Sequence, residues 1–385
     1  MKQLRVVHVI GGGEFGGAER HLLNLFKAVD PQAVKITVCC LFAAPFAEMA
    51  AQAGLPALAV PMRHKLDLRV LDEMAHYFRI IEADLVHTHG VRANLLGRIA
   101  ARQAGKKTVA TVHSLLEHDY PGFFSRLANS LAEKLTRGMT DHFITVSEGL
   151  KKALVQKGTA AERVTVVHNG LDLEGLALVR TPGLWRSRLG CGTGTPLVGI
   201  VARLHPVKGH RCFLQAAREV LAVRPEVKFA VAGGGAEREA LELLARRLGI
   251  ADRVVFTGFV EEIWSLMAGL DLLVIPSLWE GFGLTAAEGL AMGVPVVAAD
   301  VGGLPEVVRH GETGLLIPPS DAVALARGIL WMLDHPAEAA EMASRGMAVA
   351  QAEFSSPAMA RRTVEVYRKL LDEDSGPKKN RWRRI

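Results

Sequence analysis

Cysteine is scarce in this chain of 385 residues. There are four, with Cys39 and Cys40 adjacent, Cys191 and Cys212 isolated, and no C-x-x-C pair. That spacing excludes a disulfide framework and a cysteine-based zinc site, and it leaves the four as small buried hydrophobes. Long apolar runs are missing as well. A membrane-spanning helix needs roughly 18 uninterrupted apolar residues, and the best window, AAPFAEMAAQAGLPALAV, is broken by Pro45, Glu48, Gln52 and Pro56. The apolar part of MKQLRVVHVIGGG is too short for a signal peptide and is cut by glycines. The expectation is a cytoplasmic protein. Short repeats and low-complexity tracts are absent. So is a D-x-D at the end of an apolar run, the arrangement that would hold a divalent cation. The acidic run at 372–374 falls in the last helical stretch, so no metal is expected.

What is present describes an ordinary globular chain: 49% hydrophobic, 22% charged, mean hydropathy +0.20. At ~150 residues per domain the length suggests two to three domains. The net charge is +6, and GPKKNRWRRI at the end carries five Lys/Arg and no acid. Such a tail suits a polyanion (nucleic acid or an anionic bilayer) or simple solvation.

Short apolar runs alternate with helical periodicity throughout. LRVVHVI, KITVCCLF, DLVHTHG, KTVATVHS, HFITVSEG and VTVVHNG read as parallel strands buried on both faces. The pattern lapses over residues 175–195, a Gly/Pro-rich linker with a short helix near Trp185–Leu189. It restarts with LVGIVARL, VKFAVAGGG, RVVFTGF, DLLVIPS and VPVVAAD. Two doubly wound α/β domains follow, at 1–177 and 178–355, then a helix at 356–375 crossing back to the first domain and a basic tail at 376–385. Ligands of such sheets bind at the carboxyl ends of the strands, so the polar residues there are the candidates.

GGGEFG (11–16) fits the dinucleotide fingerprint G-x-G-x-x-G, but the second strand ends without the acidic residue that a ribose needs; none appears until Glu48. The surviving reading is a loop whose amides approach an anionic or sugar ligand at a helix N-terminus; the alternative is a plain tight turn. Arg203 and Lys208, in GIVARLHPVKGH, are placed to clamp a diphosphate at a strand end, and no neighbouring residue supplies an acidic partner. In EGFGLTAAEG, Glu280 lies in a glycine loop and Glu288 in the helix that follows. Thr285 as N-cap and Glu288 three residues on would form a capping box.

The segment Glu280–Glu288, E-x7-E after a strand ending Pro-Ser and before GLAMGVPVVAADVGGLPEVV, resembles family 4 retaining glycosyltransferases of the GT-B fold. ARLHPVKG, GGAERHLLNL, HTHG, TVHS and VVHNGLD resemble further family segments in the expected order over roughly residues 5–320. The resemblance implies two Rossmann-like domains facing across a cleft. The second would bind a nucleotide-diphosphate sugar (UDP rather than GDP) and the first a carbohydrate or lipid-linked acceptor, in bacterial polysaccharide or lipopolysaccharide synthesis at the inner face of the cytoplasmic membrane. It also implies roles. Arg203 and Lys208 would hold the diphosphate, with the amides of Phe282, Gly283 and Leu284 beside Gly281. Glu288 would take the ribose and Glu280 the donor sugar. His113 would sit at the reaction centre with Gly16 and Gly17 nearby. Gly233–Gly235 and Gly258–Val260 would approach the base. His89 and His113 would face the acceptor. No cofactor and no nucleic-acid partner are implied; the tail would touch an anionic membrane.

His87 and His89 alternate on one strand face, but two imidazoles without a clear third favour lining or packing over a metal. Asn169-Gly170 is a turn signal first and a cleft residue second. Phe123, Leu127, Leu131 and Leu135 form a helical stripe, by default packed on the first domain and otherwise lying on a bilayer. Two other functions remain open: a sugar-nucleotide epimerase on the same fold, and a non-enzymatic sugar-nucleotide sensor.

Overall fold

The computed structural model describes residues 2–13, 15–64, 67–115, 123–178, 182–192 and 194–372. The basic tail and Glu14 lie outside these. The chain divides into two units, Met1–Gly170 with Ser356–Ile385, and Leu171–Ser355. The division falls at Gly170, where the sequence places it at 177. A Cβ on Gly170 would lie 2.5 Å from Ser356 Cα, so this turn packs flush on the backbone of the returning segment.

The first unit holds β1 (Leu4–Ile10), β2 (Val34–Cys40), β3 (Ala57–Ala59), β4 (Leu85–His89), β5 (Lys107–Val112), β6 (His142–Thr145) and β7 (Val164–Val166). They form one parallel sheet ordered β3-β2-β1-β4-β5-β6-β7. In the second unit β8 (Leu197–Val201), β9 (Lys228–Ala232), β10 (Val254–Gly258), β11 (Leu272–Ile275), β12 (Val296–Ala299) and β13 (Leu315–Ile317) form a parallel sheet ordered β10-β9-β8-β11-β12-β13. Strand order reverses between β1 and β4 and again between β8 and β11. At such a switch point the loops diverge and leave a crevice. β3 and β13, three residues each, are too short to show a period in sequence.

The runs are near-continuously apolar because both sheet faces are covered. Val6, Ile10, Leu22, Leu25, Val38 and Leu85 pack on one face of the first sheet with Met359, Ala360, Val366 and Tyr367. Those last four lie on the helix Ser356–Asp372, which thus packs on the first unit although it is the last of the described elements in sequence. Each such large apolar side chain contributes about 1.5–3 kcal/mol on burial.

The leucine stripe does not pack as the default reading expects. Leu127, Leu131 and Leu135 are exposed; the side chain of Phe123 lies outside the described residues. The helix Phe123–Thr136 is held instead by its other face, where the fully buried Arg98 takes Glu133 in a two-point ion pair (2.7 and 3.0 Å) and Thr136 at 3.2 Å. A buried guanidinium must be paired, and that demand sets the helix's rotation. No helix among the described residues is long and apolar enough to cross a membrane.

Candidate active site

In the second unit Lys208 and Glu280 meet. They are 72 residues apart in sequence, and Lys208 Nζ lies 2.6 Å from Glu280 Oε1, which also accepts from Ser277 Oγ at 2.9 Å. The acidic partner that the neighbourhood of Lys208 lacks is therefore supplied across the β8–β11 switch point. Both side chains are largely buried, at 21% and 16% exposed. Lys208 ends the 3₁₀ turn Pro206–Lys208, which His205 caps by accepting from Val207 N. Arg203 lies exposed in the same loop.

The Glu280 loop is pinned on both sides. Leu278 N donates to Val207 O at 2.7 Å, and Gly303 N donates to Glu280 O at 3.0 Å. Gly302 makes the second contact possible: at φ +56°, any Cβ there would lie 1.9 Å from Glu280 O. Phe282 is buried edge-on against Phe354, ring centroids 5.3 Å apart. The helix Leu284–Ala291 then begins with Gly283 as N-cap at φ +100°. This corrects the capping-box reading. Thr285 is inside the helix rather than at its cap, so Glu288 is not a capping partner, and it is buried. The loop after β9 reaches its neighbours through its backbone: Leu204 N donates to Gly234 O at 2.8 Å and Gly233 N to Gly258 O at 2.9 Å. Val260 is buried, so its side chain is part of the packing.

In the first unit Gly16 caps the helix Gly17–Ala28, and its amide donates to Glu19 Oε2 at 3.0 Å. An incoming anion at Gly16 would have to displace that carboxylate. His113 does not stand alone. Its Nε2 is 3.1 Å from His89 Nδ1, His89 Nε2 is 2.8 Å from His8 Nδ1, and His87 Nδ1 is 2.6 Å from Tyr367 OH. His21 lies edge-on to His113, centroids 5.0 Å apart, and its Nδ1 is 2.8 Å from Asn169 Oδ1. The expectation that His87 and His89 lack a third imidazole is thus overturned: His8, His21 and His113 join them. His8, at the register position opposite His87, and His21, one helical turn past Gly17, are the residues that sequence reasoning missed. The spacing H-x-H in β4 was the available signal. Asn169 turns out to orient His21 besides making its turn.

Burial strips water from these rings and disfavours the imidazolium, moving His8 down to about 3 and His21 to about 4, and holding His87, His89 and His113 well below the usual histidine range. Unfolded histidine takes its proton near 6.5. The folded chain refuses it until about 3–4, so this stability is fully present above pH 6.5 and falls as pH drops from there toward 4. Thermal melts from pH 7.5 to 4.5 should show a falling midpoint. His8→Asn should flatten that slope, and an unchanged slope would contradict neutral burial.

A family profile described as Glycosyltransferase Family 4 matches residues 15–174, and one described as Glycosyl transferases group 1 matches residues 184–348. The chain is 32% identical over 303 residues to a D-inositol 3-phosphate glycosyltransferase of Streptomyces scabiei, an alignment covering 74% of this chain and 67% of the relative. It is 29% identical over 412 aligned positions to the Nocardioides enzyme of the same name, covering 94% and 87%. Among solved structures, HepE of Anabaena in complex with UDP-glucose superposes with a TM-score of 0.85 at 26% identity, over 95% of this chain and all of that one. Two parallel doubly wound sheets with these likenesses define the GT-B glycosyltransferase fold. The chain belongs to the family 4 glycosyltransferases.

Proposed function

We propose that the protein transfers a hexose, with retention of anomeric configuration and without a metal, from a nucleotide-diphosphate sugar to a carbohydrate or lipid-linked acceptor in polysaccharide or lipopolysaccharide synthesis. The observation that carries this reading is the Lys208–Glu280–Ser277 contact at the β8–β11 switch point. As the glycosyl bond breaks, negative charge builds on the departing diphosphate. A fixed ammonium, the Arg203 guanidinium and the amides opening the helix Leu284–Ala291 stabilise that charge where it develops. Glu280, already held by Lys208 and Ser277, is preorganised to accept from the hydroxyls of the sugar. Retention follows from attack on the face the diphosphate leaves, its oxygen taking the proton of the acceptor hydroxyl. His113, kept neutral by burial, lines this reaction centre as a hydrogen-bonding group.

UDP is the favoured nucleotide, supported by the likeness to a structure that holds UDP-glucose. Relatives named for D-inositol 3-phosphate support a second reading of the acceptor, a phosphorylated polyol. The exposed leucine stripe, with Lys134 exposed beside it, supports an acceptor met at an anionic membrane surface. Flotation with anionic vesicles at low salt, abolished in Leu131→Glu, checks that point. A donor screen by thermal shift, followed by turnover with saccharide, lipid-linked and polyol-phosphate acceptors, tests the whole. In it, Glu288→Ala should weaken nucleotide binding by about tenfold, the ~1.5 kcal/mol of a hydrogen bond to a charged group, with a smaller change in kcat. Equal nucleotide affinity would remove Glu288 from the ribose.

A further inference from the structure

One buried nitrogen in the histidine cluster has no partner. His21 is fully buried, and its Nδ1 faces an oxygen that only accepts, Asn169 Oδ1 at 2.8 Å. Nδ1 therefore carries the ring proton and Nε2 presents a lone pair. That Nε2 has no hydrogen-bond partner, and glycosyl transfer makes no use of it. His21 stands with His89 and His113: the three residues offer one ligand atom each, all within 4.8 Å of one another.

We propose that His21, His89 and His113 form a binding site for a borderline transition-metal ion, specifically Zn2+, within the first unit. Three neutral imidazoles with a fourth position open are a donor set that zinc accepts. The absence of any carboxylate among the three makes them a poor site for Mg2+ or Ca2+. Asn169 plays the part of an outer partner, fixing the tautomer and orientation of His21. His113 is only half-buried and supplies the side of entry. Zinc–nitrogen bonds of 2.0–2.1 Å place donors about 3.3 Å apart; His89 and His113 already stand at 3.1 Å, and His21 would close from within 4.8 Å.

The protons balance. His89 Nδ1 and His113 Nε2, 3.1 Å apart, share one proton that the ion must displace. His89 can carry its proton on Nε2 instead, donating to His8 Nδ1 at 2.8 Å, while His113 carries its own on Nδ1, so no ligand need be charged. A second trio, His8, His87 and His89, meets the same distance condition. There both nitrogens of His87 are already engaged, by Tyr367 OH at 2.6 Å and Thr111 Oγ1 at 2.7 Å, and an ion would have to strip one of them. The unpartnered His21 nitrogen decides for the first trio.

Equilibrium dialysis of the full, tag-free chain against Zn2+, with Mg2+ as control, should find one zinc bound per chain and no magnesium. His21→Gln should lower zinc affinity at least tenfold, Asn169→Ala by about 10–100-fold through the loosened ring, and His87→Gln should leave it within twofold. Co2+ added to the wild-type chain should give the intense visible bands of a tetrahedral site, lost in His21→Gln. This spectrum reads the site even where a variant folds poorly. Wild-type chain that binds no zinc, or binds it equally well as His21→Gln with the same cobalt spectrum, overturns the proposal. Loss in His87→Gln alone would place the ion in the other trio and also overturns it. Zinc bound here would withdraw His113 from the reaction centre proposed above, so transfer belongs to the metal-free chain; the readout is metal bound rather than sugar transferred, and failure here leaves the transferase reading intact.

Discussion

Lys208→Ala is expected to lower kcat by about 10²–10³-fold, the usual cost of deleting one preorganised group that stabilises developing charge. Two effects act together. The leaving diphosphate loses its ammonium. Glu280 keeps Ser277 but loses the 2.6 Å contact with Lys208 that holds it in place. The residue lies at the end of a 3₁₀ turn whose backbone bonds do not involve its side chain, so the fold should survive. The check is steady-state release of nucleoside diphosphate together with a thermal melt. A near-wild-type rate with an unchanged melt would take Lys208 out of the leaving-group role.

Gly302→Val is the second large effect, and it comes from backbone contact rather than charge. A Cβ at Gly302 would sit 1.9 Å from Glu280 O, at a φ of +56° that β-branched residues avoid. The loop has to move, and the Gly303 N–Glu280 O bond goes with it. Backbone strain of about 1–3 kcal/mol plus the displaced loop should lower the melting midpoint by about 5–10 °C and bring turnover close to background. Gly311→Ala is the control. Its φ is +74°, but no atom lies within 4 Å of the added Cβ, so it carries only the conformational cost, about 1 kcal/mol. Equal losses in the two variants, in melt and in turnover, would mean that the contact with Glu280 does not matter.

Much of the fold was legible because parallel strands covered on both faces announce themselves as apolar runs. LRVVHVI and DLLVIPS could hardly be anything else, and both are parallel strands. The Lys208–Glu280 contact was not legible. It joins two loops brought together by strand order, and no local spacing encodes which strands are neighbours. The Thr285 cap was misread for a related reason. Gly283 can take the left-handed conformation that starts the helix, and nothing in sequence says whether a glycine two residues earlier will pre-empt a threonine. The leucine stripe misled because periodicity identifies a face but not its surroundings; the buried Arg98 decided which face turned inward. The histidine cluster needed β1, β4, β5 and the first helix in place before five imidazoles, scattered over more than a hundred residues, became one group.

The most direct test of the central claim is acceptor-dependent turnover by the full chain, with UDP-hexoses as donors. Free UDP and the glycoside are quantified together, and the glycoside's anomeric configuration is read by NMR. UDP and glycoside are expected in equal amounts, with no more than slow UDP release without acceptor, a product with the donor's anomeric configuration, and loss of all of these in Lys208→Ala. An inverted product, UDP release indifferent to the acceptor, or an epimerised sugar with no glycoside would contradict it.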